Sequence, residues 1–335
     1  MVSVVSKIII REQQAYISFS NISFEFCYKL IRLMENSEVS RMQMLIKRLA
    51  CFFFCLLFLA GCQVVSVVNV TNELEVEFSL GDDELAFTYF DLPSGEATLI
   101  QSGQGGTVLI NTGDSSSQIE LARKLHMYHV ETIDSLIVTN MGEEYSGNIN
   151  WLVDHYQISS IIVPDAGKGM IEPQLKENTG KIVGWKEGDK HEVLPNLKTE
   201  VLFTGENEGL EPCLVLFFTY GEHRTLYMGL ADAEIEELLA SQYDLKSTIL
   251  KVGHFGSSKG TSQEFLQEVD PQVAILFSLE GKRPSEYVLE RLQETWIDVY
   301  QTKKIGAVSI KCTLENYEIW TVRASGQEFH IAVSN

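Results

Sequence analysis

Apolar and polar residues alternate with a period of two over Leu74–Leu80, Leu85–Phe90, Ala97–Gln101 and Thr107–Asn111, and Gly, Ser and Pro punctuate the runs at Pro93-Ser94-Gly95 and Gly103–Gly106. That pattern predicts hairpin strands. The glycines at 103–106 sit between two short strands with no helix following, so they read as a hairpin turn rather than a dinucleotide loop. Asp114 and three serines offer cap chemistry ahead of Ile119–Met127, where Ile119, Leu121, Ala122 and Leu125 share a helical spacing. Buried-type strands at Ser135–Thr139 and Ser160–Val163 flank a second helix, Ile149–Tyr156. The second half repeats the scheme. Strands are expected at Glu200–Phe203, Leu214–Tyr220, Thr225–Met228, Thr248–Val252, Val273–Phe277, Asp298–Tyr300, Val308–Lys311 and Tyr317–Val322, with helices at Ala233–Leu239, Ser262–Val269 and Ser285–Glu294. Strands outnumber helices and the helices follow them, which predicts an α/β fold of two stacked sheets with helices outside, a four-layer αββα sandwich over residues 74–335.

Composition narrows the function. Of 335 residues, 45% are hydrophobic and only 7 are Pro, enough apolar side chain for a substantial core. A formal charge of −20 argues against a surface built to hold nucleic-acid phosphates. The acidity is unevenly spread: residues 1–61 carry seven basic and four acidic side chains, which leaves −23 for the remainder.

The basic excess belongs to a leader. From Met44 the chain reads Met-Leu-Ile-Lys-Arg, then an apolar run from Leu49 to Ala60, then Gly61 and Cys62. This is the layout of a secretory signal. The run is shorter than the ~20 residues that span a bilayer as a helix. Leu59-Ala60-Gly61-Cys62 resembles a bacterial lipobox, which implies cleavage before Cys62, lipid on its thiol and an extracytoplasmic place in a bacterial envelope. The expected boundaries are residues 42–61 as signal peptide and 62–73 as tether. Residues 1–41 then read as an upstream extension of the frame, with Met42 or Met44 as the start. Cys213 and Cys312 alone fall in the folded part, without zinc-type spacing; a disulfide or two buried thiols both fit.

Five segments in order carry a family resemblance: Phe90–Ala97, Leu109-Ile110-Asn111-Thr112-Gly113, Ile133–Thr139, Leu214-Val215-Leu216 and Lys251-Val252-Gly253-His254-Phe255-Gly256-Ser257. Over about residues 85–323 the chain resembles the metallo-β-lactamase superfamily, in its ComEC-like branch of competence DNA-uptake hydrolase domains and their stand-alone relatives. The resemblance implies a THxxxDHxGG segment whose imidazoles and carboxylate hold zinc or manganese. Here that segment runs from Thr139 to Asn148, with Asn140 at the first histidine, Glu144 at the aspartate and Tyr145 at the second histidine. Met228-Gly229-Leu230 replaces the TGD turn, with Asp232 two residues on, and Asn111 replaces the aspartate of DTG. In the DVGQGD turn, which opens at Asp91, Ser94 and Glu96 occupy the polar pair. His254 matches a metal ligand, in GHFGS where relatives show GHHGS.

Two functions follow as expectations. In the first, the metal motif is degenerate, no cofactor is bound, and the domain is a lipid-anchored, non-catalytic binding or scaffolding module with a cleft lined by Asp91, Asn140, Glu143, Tyr145, Asp232 and His254. Its partners are the membrane, through lipid on Cys62, and an unidentified ligand or protein, not nucleic acid. In the alternative, a metal-dependent hydrolase acting on phosphodiesters uses Glu144, Asp232 and His254 as ligands to Mn²⁺ or Zn²⁺, with His254 or Glu144 positioning water. No P-loop, GxSxG elbow or HExxH helix competes.

Overall fold

A computed structural model describes residues 79–172, 175, 180–205 and 211–322, and the backbone of 328–331. The signal segment, Cys62 and residues 74–78 of the expected strand Leu74–Leu80 lie outside the described residues, and Ser79 and Leu80 are not in a strand.

Two mixed sheets face each other. The first has nine strands in the order β16-β15-β14-β1-β2-β3-β4-β5-β6, the second seven in the order β13-β12-β11-β10-β9-β8-β7. In the first, β1 (Leu85–Tyr89) pairs antiparallel with β2 (Thr98–Ser102) and β14 (Ala307–Cys312), while β3 (Thr107–Ile110), β4 (Thr132–Ile137), β5 (Gln157–Pro164) and β6 (Lys181–Trp185) run parallel. In the second, β10 (His223–Tyr227), β11 (Ile249–Lys251), β12 (Val273–Leu276) and β13 (Asp298–Gln301) are parallel, and β7 (Lys190–Leu194), β8 (Leu197–Phe203) and β9 (Val215–Tyr220) extend it antiparallel. The outer edge of the first sheet is completed by β15 (Tyr317–Val322) and β16 (Glu328–Ile331).

The period-two pattern sorts side chains between layers. On β1, Leu85, Phe87 and Tyr89 enter the core between the sheets with Ile100, Ile110, Leu216, Phe218, Ile249 and Ile275, and the Phe87 and Phe218 rings meet across it at 5.7 Å. Leu99, Leu109, Leu136 and Ile161 point the other way, onto the helices Gln118–Met127 and Ile149–His155. Val215, Leu250, Ala274 and Leu276 do the same beneath the helices Ala233–Gln242, Gln263–Val269 and Glu286–Glu294. Strands buried on both faces explain why several central runs read as continuous apolar stretches. The four expected layers are present.

Three strands escaped sequence reading. β6 and β7 carry Lys-Ile-Val-Gly-Trp and Lys-His-Glu-Val-Leu, half-polar runs on sheet edges where only part of each strand is buried; β16 likewise lies on an edge. The serines after Asp114 also behave differently from the expectation. No side chain caps the helix Gln118–Met127; residues Ser115–Ser117 form a 3₁₀ turn, and Ser117 Oγ instead donates to the Ser94 carbonyl at 2.6 Å. The Gly103–Gly106 turn is the expected hairpin, closed by Gly105 N donating to the Ser102 carbonyl. Cys213 and Cys312 are free and buried, and burial pushes each thiol up to about 12. Among the described residues, no helix is long and apolar enough to cross a membrane.

Candidate functional site

Parallel strands of both sheets end at the same edge of the sandwich, and their following loops gather there: 91–97, 111–118, 139–148, 229–233 and 253–262. This is where an α/β fold presents a site. The floor of that edge is a network of buried polar groups. Glu96 and Lys251 are both fully buried and form an ion pair at 2.5 Å across the two sheets. Asn111 Nδ2 donates to Glu96 Oε1 at 2.7 Å, the Tyr227 hydroxyl donates to the same oxygen at 3.4 Å, and Lys251 Nζ donates to the Met228 carbonyl at 2.7 Å. The Lys251 ammonium also lies 4.7 Å from the Tyr227 ring centroid. Burial raises the Glu96 carboxyl and lowers the Lys251 ammonium, each against the attraction of the other. Removing either partner leaves an uncompensated charge in a dry interior.

Asn111 holds the left-handed backbone that Asn tolerates better than most residues, at φ 60°. Its Oδ1 accepts from the Thr139 amide at 2.7 Å, which fixes the start of the loop where the family's first imidazole would stand. In that loop Asn140 is 2% exposed. Its Nδ2 donates to the Pro212 carbonyl at 2.9 Å and its Oδ1 accepts from the Gly142 amide at 2.7 Å, so both ends of the amide are spent on backbone. Tyr145 is 0% exposed and packs its ring 5.5 Å from Phe255. Both aromatic side chains stand at positions where the resemblance implies imidazoles; the buried Tyr145 hydroxyl has no hydrogen-bond partner.

The remaining candidates divide between tasks. Asp91 was expected to line the cleft; it pairs instead with the buried Lys124 of the helix Gln118–Met127, in the layer outside the nine-stranded sheet. Burial raises its carboxyl, opposed by Lys124. Asp232 caps the helix Ala233–Gln242, accepting from Ile235 N at 3.3 Å, in the layer outside the other sheet. The two carboxylates therefore serve opposite faces of the sandwich. Glu143 is exposed and accepts from the Ser115 amide at 3.1 Å, while Glu144 is half-buried and its carbonyl accepts from Glu96 N. His254 and Phe255 share a left-handed turn, at φ 49° and 53°, and the His254 amide donates to the Gly229 carbonyl. Burial lowers the His254 imidazole, and Lys259 and Lys282 add to the effect. The next helix is capped by Ser262, one residue beyond the polar turn Ser257–Thr261, through a bond from Phe265 N at 3.1 Å.

At the positions where the resemblance implies nitrogen donors, Asn140 is committed to backbone, Tyr145 and Phe255 are aromatic and His254 keeps its imidazole, while Asp91 and Asp232 are engaged elsewhere. Among the described residues, no three His, Cys, Asp or Glu side chains converge. Lys251 and Glu96 are the site residues that sequence reading undervalued. In the sequence Glu96 reads only as part of a turn and Lys251 only as part of a motif, although a Lys in an otherwise apolar strand, Ile-Leu-Lys-Val, signals a buried partner.

No family model matches the chain. Among curated proteins, it is 28% identical over 273 residues to ComE operon protein 3 of Bacillus subtilis, covering 68% of this chain and 34% of that protein. It is 26% identical over 252 residues to Recombination protein 2 of Haemophilus influenzae, covering 72% and 31%, and 23% identical over 237 residues to competence protein ComA of Neisseria gonorrhoeae, covering 68% and 32%. The chain thus spans about a third of the length of these relatives. Among solved structures, the metallo-β-lactamase fold protein YhfI of Bacillus subtilis superposes with a TM-score of 0.51 at 14% identity, over 68% of this chain and all of that one. A variant of the CmlA β-hydroxylase gives 0.51 at 11% identity, over 68% and 54%. Sheet order, loop placement and relatives agree: the chain has the metallo-β-lactamase fold and is similar in sequence to ComEC-like competence proteins.

Proposed function

We propose that this protein is a lipid-anchored, extracytoplasmic binding or scaffolding module, a metallo-β-lactamase-fold domain that has ceased to hydrolyse. One observation carries the reading: where relatives would place converging imidazoles, Asn140 is tied to backbone at both ends and Tyr145 packs at a tilt against Phe255. A catalytic metal needs several free donors at one point and an open coordination position for water. An amide bonded at both ends and a phenyl ring supply no such donor, and the Tyr145 phenol supplies one oxygen where a metal needs several ligands. The acidic balance of −20 weighs against DNA as the ligand, whatever the competence relatives handle. The anchoring half rests on the leader: a basic n-region, a short apolar run and Leu-Ala-Gly-Cys62 support export and lipidation.

The test uses the full chain purified from membranes. Metal content is measured by mass spectrometry, and turnover of a phosphodiester and an ester is assayed with added Mn²⁺ or Zn²⁺. The expected result is metal well below one ion per chain and no turnover above that of the His254→Ala variant. Stoichiometric metal with turnover lost in His254→Ala would overturn the proposal in favour of the hydrolase. The mass of the N-terminal peptide reports acylation of Cys62 separately.

A further inference from the structure

The end of the sandwich opposite the cleft is where the chain enters the domain. β1 starts there at Leu85, just after Asp83, whose carbonyl accepts from the Tyr220 hydroxyl at 2.8 Å. The tight turn before β10 lies beside it, with Glu222 N donating to the Leu314 carbonyl. The N-terminal ends of β11, β12 and β13 complete this face, since Ile249, Val273 and Asp298 are in register. Two large apolar side chains stand out from it. Leu314 is 45% exposed, and Trp296, two residues before Asp298, is 95% exposed.

Trp296 is unusual twice over. It presents nearly its whole indole to solvent, and it holds φ 60°, a left-handed conformation that a bulky side chain adopts only at a cost. Its backbone amide, donating to Gln293 O at 3.2 Å, closes the end of the helix Glu286–Glu294, a place where Gly is the usual choice. Indole, apolar in body with one N–H donor, partitions to the membrane–water boundary.

We infer that this end is the membrane-facing surface of the domain, with Trp296 seated at the lipid headgroup level and the cleft turned outward. The inference rests on the reading of Cys62 as the anchor. Sixteen residues, 63–78, lie between Cys62 and Ser79, the first described residue. A tether of that length, taken as a random coil, would span roughly 20–25 Å root-mean-square, enough to keep the entry face close to the lipid without fixing its orientation. Trp296 supplies the orientation, and its tethering raises the effective lipid concentration it meets. The same face carries exposed Asp82, Asp83, Glu222, Asp298 and Glu315, so the contact is apolar rather than electrostatic.

The experiment reconstitutes the processed full chain in phosphatidylcholine vesicles. Trp296 emission is taken as the difference between the native chain and Trp296→Phe, since Trp151, Trp185 and Trp320 also emit. Lipids brominated near the headgroup end of the acyl chain should shift that emission to the blue and remove most of its intensity, and lipids brominated at the chain terminus should remove little. Replacing part of the phosphatidylcholine with phosphatidylglycerol should weaken the quenching at low salt, and added salt should restore it. An acylated chain whose Trp296 emission is neither shifted nor quenched would overturn the inference while the anchor stands. A blue shift without lipid quenching would also overturn it, by placing the indole against protein. A chain with no lipid on Cys62 sinks the anchor reading, and quenching on vesicles then decides the membrane face by itself.

Discussion

The buried pair Glu96–Lys251 concentrates more consequence in two side chains than any other contact of the cleft. Both charges have left water completely, and the interior recovers that cost only because Asn111, Tyr227 and the Met228 carbonyl take up the remaining donors and acceptors. Lys251→Met should therefore be far worse than the loss of one contact. It leaves buried Glu96 without its counter-charge, a penalty of about 3–5 kcal/mol, which lowers the melting temperature by roughly 6–20 °C in a domain of this size. Combining it with Glu96→Gln removes the orphaned charge while keeping an oxygen for Asn111, and should recover most of the stability. Thermal melts of the single and double variants measure this. Equal destabilisation in both would mean that the pair contributes through shape alone.

Among the elements, the loops after the parallel strands decide what the site can do. The turn Asp91–Glu96 binds four neighbours at once: Lys124 through Asp91, Ser117 through Ser94, Ser278 by a backbone bridge from Gly95, and Lys251 through Glu96. A segment so pinned has little freedom to move. Asp232 illustrates how a residue with the right chemistry for a ligand is taken by the needs of a helix. If its work is to cap Ala233–Gln242, then Asp232→Ala should cost about 1 kcal/mol and Asp232→Asn almost nothing, because Asn caps as well as Asp. A ligand role predicts the reverse sensitivity, with charge essential. Denaturant unfolding of the two variants distinguishes them. The edge elements show the limit of pattern reading. β6 and β7 are defined by pairing with β5 and β8 rather than by their own alternation.

Across the whole domain, the two sheets share one interior. Phe87 meets Phe218, Tyr145 meets Phe255, and Glu96 meets Lys251, each joining residues far apart in the chain. Neither sheet can expose its inner face without exposing the other's, so the domain should unfold in one step. Far-ultraviolet circular dichroism and tryptophan fluorescence should give coincident midpoints, and separated transitions would show that the sheets are independent units. The order of strands and helices and the four-layer stacking were legible in the chain, because burial on alternating faces imposes a period that survives in the residues themselves. The departures from the ligand motif were equally legible, since Asn140, Tyr145 and Phe255 are matters of identity. Partnership was not. That Asp91 turns to Lys124, that Asp232 serves a helix, and that a lysine and a glutamate 155 positions apart meet in the core follow from how distant segments come together. Local sequence sets which groups want a partner; only the closed fold, by excluding water, determines which partner each one finds.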